Sequence, residues 1–252
     1  VSKQELNMTI KEESPELIKI YGLQRSGTNY ITHLLNTNFQ NIKVLVNAGG
    51  WKHGTYNVPF CLGREVHCVC MVKNPYAWLR SVYEYWGPNR KKNIGPNLKD
   101  VSFEDFIKSR AIFEKQKGVP FLFRAENPIQ YWNNMNYHYH SIVSQDKKIC
   151  LLTYEALLSQ FENVMLGLSN EFEIMPSSNN LTFSNCSNEF VPSGEEVQVS
   201  NNPWDKLKYY TDKEYLKYYT PEMLGYVNSH LDIELMSKFE YEIELKPKEM
   251  QC

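Results

Sequence analysis

The residues of this chain whose types and spacing can do chemistry fall into three short clusters. The first is Gly22-Leu23-Gln24-Arg25-Ser26-Gly27-Thr28-Asn29-Tyr30, where a glycine pair brackets a basic residue and small polar side chains follow. Glycines at such a turn let the backbone close on a ligand. The amides of Ser26, Gly27, Thr28 and Asn29 would then line a cup at the positive end of a following helix. Such a cup holds an anion, most often a phosphate. The second cluster is Trp51-Lys52-His53, flanked by Gly50 and Gly54. A histidine titrates near neutrality and suits proton transfer at physiological pH. The third is Lys73-Asn74-Pro75 with Ser81 after it, a second cation followed by a hydroxyl.

The elements that must carry these clusters are legible in the apolar pattern. An apolar run opens at Leu17 and breaks at Gly22, and apolar residues resume at Ile31, Leu34 and Leu35, which is strand, loop, helix. The Gly22-x4-Gly27 spacing matches the P-loop frame, but Thr28 stands where the nucleotide triphosphatase form has lysine, and the loop's cation is Arg25. Residues 42–46 predict a short second strand that empties into the Lys52-His53 loop. Residues 65–72, apolar on both faces apart from His67, predict a buried parallel strand ending at Lys73. Loops at the carboxyl ends of parallel strands are where open α/β sheets place ligands. Asn74 as cap and Pro75 as first residue open a helix over 76–86, with Trp78, Leu79, Val82 and Trp86 at helical spacing.

Further along, Ser102 and Asp105 form a capping-box signal, and residues 127–143 predict a helix carrying His138 and His140 on different faces, which discounts a metal site there. Residues 149–153 predict another buried strand. One helix should follow it, with Leu157, Leu158, Phe161, Val164, Met165 and Leu168 on its stripe. A helical turn over 215–219 precedes the start signal Thr220-Pro221-Glu222. Residues 87–118, with the basic run Arg90-Lys91-Lys92, and residues 176–203 are expected to be long loops forming an acceptor lid. With no internal repeat or linker, residues 1–252 are expected to fold as a single α/β domain: three layers, a central mostly parallel sheet flanked by helices.

Composition narrows the partners. The formal net charge of -2 over 252 residues supplies no broad field for nucleic acid or an anionic membrane, so an anion site must be local. No apolar run approaches the ~20 residues of a membrane span. The polar residues 1–13 lack a signal-peptide core, so a cytoplasmic protein is expected. Of the six cysteines, Cys68, Cys70 and Cys150 lie in strand-like runs, as reduced core thiols do, while Cys61, Cys186 and Cys252 do not.

The loop Gln24-Arg25-Ser26-Gly27-Thr28-Asn29-Tyr30, together with Lys73-Asn74-Pro75 and Ser81, resembles the sulfotransferase superfamily. That resemblance implies a P-loop-type fold and the donor 3′-phosphoadenosine-5′-phosphosulfate, with adenosine 3′,5′-bisphosphate as product. It also implies roles: the 24–30 loop and Arg25 on the phosphosulfate, Tyr30 stacking on adenine, Lys73 and Ser81 on the 3′-phosphate. By the same resemblance His53 is the catalytic base, Lys52 a sulfate contact, and Lys206 and Lys208 candidates for completing the 3′-phosphate site. Two departures stand out. Lys52 is adjacent to His53, where the family often sets its lysine two residues before the histidine. Lys73 replaces the usual arginine and gives up a bidentate grip.

The expected reaction moves a sulfuryl group to a hydroxyl or amine of a small-molecule or glycan acceptor. No metal is required for it, because the sulfuryl group carries less negative charge than a γ-phosphoryl group. Residues 66–72 also run into Lys-Asn rather than an acidic magnesium ligand. The alternatives are a magnesium-dependent P-loop kinase and a non-catalytic nucleotide-binding module. The oligomeric state is not encoded in any of these features.

Overall fold

Four apolar runs become four parallel strands: β1 (Glu16–Gly22), β2 (Ile42–Leu45), β3 (His67–Val72) and β4 (Ile149–Thr153), in the order β2-β1-β3-β4. The computed structural model describes residues 14–45, 48, 50–55, 65–86, 100–109, 125–143, 146, 148–183 and 203–248. Side chains alternate across the sheet with the period of two that a pleated strand imposes. Leu17, Tyr21, Cys68, Cys70 and Val72 enter one apolar layer, and Ile18, Ile20, Val69 and Met71 enter the other.

Helices cover both faces. On the second face lie α1 (Thr28–Asn38), α5 (Tyr154–Ser159) and α6 (Phe161–Phe172). The first face is covered by α2 (Pro75–Trp86), α3 (Phe103–Lys108), α4 (Pro128–Val143), a 3-10 turn (Glu214–Tyr218), α8 (Pro221–His230) and α9 (Ile233–Lys238). Between them α7 (Pro203–Thr211) bridges toward the site through Tyr210, which touches both apolar layers. The protein is thus a three-layer α/β fold of the P-loop type, with a parallel sheet between helices.

The chain leaves β1 toward β2 on one side and returns to β3 on the other, so a crevice opens at the carboxyl ends of β1 and β3. The register sets Gly22 opposite Met71, which brings the glycine loop and Lys73 to one level at that edge.

Local signals placed several elements well. Asn74 Oδ1 accepts from the amides of Tyr76 and Ala77 and caps α2. Ser102 and Thr220 accept from the amides three residues on and cap α3 and α8. Other expectations need correction. The single helix after β4 is two, broken at Gln160, whose φ of -130° and ψ of 37° are not helical. Beyond Ile149, β4 is only half buried, because β3 is its only sheet neighbour among the described residues. The readings on residues 87–99, 110–118 and 184–202, with Arg90-Lys91-Lys92, and on Cys61, Cys186 and Cys252, lie outside the described residues. Cys68, Cys70 and Cys150 are free thiols, and burial pushes Cys68 up to about 12.

Candidate functional site

The glycine loop turns where only glycine fits. At Gly22 a Cβ would come within 2.6 Å of Ser26 Oγ and 2.7 Å of the Met71 carbonyl. Gly27 sits at φ 96° and a Cβ there would meet the Tyr154 ring at 2.4 Å. Arg25 takes a φ of 68°, a left-handed conformation that costs a non-glycine residue of order 1 kcal/mol. Exposed at the bend, its Nε donates to Ser81 Oγ at 3.4 Å, and its guanidinium lies 4.9 Å from the Tyr85 ring centre.

One turn before Ser81 on α2, Trp78 donates its indole N–H to the Gln24 carbonyl at 2.8 Å. Residues three apart share a helix face, so α2 fastens the loop at two points. The Gln24 side-chain oxygen is itself buried without a partner.

The helix beginning after Gly27 has no side-chain cap, so its first-turn amides are not met by the helix's own side chains. The cup is narrower than expected. The Ser26 amide donates to the Leu23 carbonyl at 3.1 Å and Ser26 Oγ does so at 2.7 Å, which commits both groups to the turn, and Ser26 is 1% exposed. Gly27, Thr28 and Asn29 remain the amide-bearing rim. Tyr30 was expected to stack on a base. Its ring is instead 5% exposed and lies edge-on to Tyr154 in the core, and its hydroxyl has no partner. Its position on the inward face of α1 sends it into the apolar layer.

The histidine loop is sewn onto the glycine loop. The Gly22 amide donates to the Lys52 carbonyl at 3.0 Å, and His53 Nδ1 lies 2.7 Å from the Gly22 carbonyl. A carbonyl can only accept, so Nδ1 carries the proton and Nε2 keeps the lone pair. Burial and the nearby Lys52 ammonium pull His53 down to about 4, against the opposing pull of the Gly22 hydrogen bond. At neutral pH the ring is therefore an uncharged base. The Lys52 ammonium donates to Asn29 Oδ1, and burial lowers its pKa. Trp51, 40% exposed, stands edge-on to His53 with ring centres 5.3 Å apart.

Lys73 reaches the same edge from β3, but in a closed setting. It is 4% exposed, its ammonium donates to the Tyr210 hydroxyl at 2.8 Å, and it lies 4.1 Å from the Tyr154 ring centre. Glu155 lies half-buried nearby, accepting from the Asn74 amide at 3.2 Å and the Tyr241 hydroxyl at 2.7 Å. Burial lowers Lys73 and raises Glu155, and each one's charge opposes the other's shift. Arg25 and Lys206 further depress Lys73, so these three cations share one field. The Tyr210 hydroxyl takes one of the ammonium's three donors, and a phosphate reaching Lys73 comes in past the rings of Tyr154 and Tyr210. Lys208, the other late candidate, is exposed on α7, with its carbonyl accepting from the Asp212 amide.

Several supporting residues carried no readable role in the sequence. Lys19 donates to the Gly50 carbonyl at 2.8 Å, and Tyr139 donates to the Gly54 carbonyl at 2.9 Å. Trp132 donates its indole N–H to the Lys73 carbonyl at 2.9 Å. Trp132 and Tyr139 lie on the inner face of α4, so one helix holds the histidine loop and the end of β3. A lysine inside the apolar run of β1 was the signal available for Lys19. Nothing local marked the other two.

The residues fit an anionic donor at one end. An uncapped helix start, two glycines that admit no side chain and the exposed Arg25 form a cradle for a phosphate-like group. Among the described residues no cluster of three or more His, Cys, Asp or Glu could hold a metal ion. No helix there is long and apolar enough to cross a membrane.

No protein-family model matches the chain, and no curated protein sequence does. Among solved structures it is similar to the crystal structure of mouse sulfotransferase SULT7A1 complexed with PAP, with 13% sequence identity and a TM-score of 0.43. The match covers 65% of this chain and 60% of the mouse chain, less than two thirds of that protein's length.

Proposed function

We propose that this protein transfers a sulfuryl group from 3′-phosphoadenosine-5′-phosphosulfate to a hydroxyl or amine of a small-molecule or glycan acceptor. The observation that carries the reading is the joining of the histidine loop to the glycine loop at Gly22. It sets an uncharged imidazole, its Nε2 lone pair unprotonated, beside a cradle for an anion. The donor, once bound, supplies an electrophilic sulfur and a phosphate leaving group. This chain's residues do the rest. His53 Nε2 takes the acceptor's proton, while Nδ1 keeps its own and donates it to the Gly22 carbonyl, which holds the ring in the productive tautomer. Arg25 and the amides of Gly27, Thr28 and Asn29 hold the phosphosulfate end and stabilise charge on the departing oxygen. Losing one such preorganised donor costs about 3 kcal/mol, or roughly a hundredfold in rate. Lys52, kept near the rim by Asn29, neutralises the sulfuryl oxygens. Lys73 and Ser81 hold the 3′-phosphate once Tyr210 moves aside.

The test is His53→Ala with sulfate-labelled donor and a panel of phenol, amine and sugar acceptors. Transfer is lost and calorimetric binding of adenosine 3′,5′-bisphosphate is retained. Near-wild-type turnover in that variant sinks the assignment of the base. No sulfate transfer by the wild type, with phosphoryl transfer from ATP and magnesium that vanishes in chelator, would favour the kinase reading instead. The burial of Lys73 under Tyr210 favours a second reading, a non-catalytic nucleotide-binding module, and that reading predicts binding without transfer in the wild type.

A further inference from the structure

Lys19 lies at the centre of β1, on the middle of the described sheet, and is fully buried. Its sequence neighbours on the same face, Leu17 and Tyr21, are core residues, and its register partners are Cys68 and Leu45. A charged group in such a layer is costly unless its hydrogen bonds are made well. The ammonium passes 5.4 Å from the Tyr21 ring centre and ends on the Gly50 carbonyl at 2.8 Å. Gly50 opens the loop that carries Trp51, Lys52 and His53. Four other bonds fasten that loop: Gly22 N–H to the Lys52 carbonyl, His53 to the Gly22 carbonyl, Lys52 to Asn29, and Tyr139 to the Gly54 carbonyl. Three of these arise from the strand's end or the glycine loop, and one arises from α4. Lys19 supplies a fifth anchor, the one that reaches up from inside the sheet, and like the Lys52–Asn29 bond it is made by an ammonium.

We infer that Lys19 is a positioning residue for His53: its buried ammonium pins the Gly50 end of the histidine loop and so fixes where the imidazole stands. The groups that face this pair are few. Lys52 and Lys19 are the cations acting on the imidazole, the carbonyls of Gly22 and Leu23 oppose them, and the Cys68 thiol lies beside Lys19. The inference rests on the proposed role of His53 only where turnover is read. The positioning itself is independent of that role.

The experiment uses the full chain with carbon-13 labels on the histidine rings, the His53 signal being the one missing from His53→Ala. In Lys19→Met the His53 titration midpoint rises relative to wild type, since a facing cation is gone. Adenosine 3′,5′-bisphosphate still binds with an affinity within about twofold, and labelled transfer falls by roughly a hundredfold, the cost of misplacing a catalytic group by about 1 Å. A second variant, Tyr139→Phe, frees the Gly54 end without removing charge: transfer falls while the His53 midpoint stays where it was. An unmoved midpoint in Lys19→Met overturns the inference. So does loss of nucleotide binding in that variant, because Lys19 would then be supporting the fold at large. If Lys19→Met moves the midpoint while His53→Ala keeps full turnover, the positioning stands and the catalytic reading falls.

Discussion

Replacing His53 by glutamine should change how the stability of this protein depends on pH, by an amount fixed by the environment of the ring. Burial, with help from Lys52, holds the folded-state pKa near 4, whereas the free side chain titrates at 6.5. Above pH 6.5 the imidazole is neutral in both states and its titration contributes nothing. Between pH 6.5 and about 4 the unfolded chain takes up a proton that the folded protein refuses, so stability falls as pH falls. Below about pH 4 both states are protonated and the loss levels off. The linkage relation gives a loss of about 2 kcal/mol between pH 7 and pH 5, and about 3 kcal/mol in full.

Other groups titrate over this range, among them His67 and His138, whose pKa values burial also lowers. The quantity to measure is therefore the difference between wild type and His53→Gln. Glutamine can still donate to the Gly22 carbonyl but cannot titrate. Urea unfolding at pH 7, 6 and 5 gives that difference. The variant should gain on the wild type by about 2 kcal/mol over the interval, and the acid limb of transfer in the wild type should fall below pH 5. A difference flat with pH, together with an acid limb near 6.5, would refute the claim that the ring is held neutral by its burial on Gly22.

Gly27→Ala places a methyl on the Tyr154 ring and an L side chain at φ 96°, so urea unfolding should show a loss of about 2 kcal/mol or more and calorimetry a loss of nucleotide binding. An alanine variant of wild-type stability would mean the loop backbone differs from the one described. Lys73→Gln should weaken adenosine 3′,5′-bisphosphate by tenfold or more while leaving adenosine 5′-monophosphate nearly unaffected, since a charged hydrogen bond to one phosphate is worth about 2 kcal/mol. Equal weakening of both nucleotides would show that Lys73 serves the structure and not the 3′-phosphate.

Neighbouring residues settled much by themselves. The break of an apolar run at Gly22, the caps at Asn74, Ser102 and Thr220, and the ends of the strands at Gly22 and Val72 were all written within a few positions of where they act. A hydrogen bond from a cap or the period of a strand needs only local chain. Tertiary packing decided what those elements then meet. Nothing near Tyr30 said that its ring would be taken by Tyr154, nor near Lys73 that Tyr210 would close over it. Nothing near residue 50 or 54 said that Lys19 and Tyr139 would hold the two ends of the histidine loop. These contacts join positions 31 to 137 residues apart. Their partners are chosen by how helices seat on the sheet, an outcome of burying the whole apolar surface at once that no short stretch of sequence encodes.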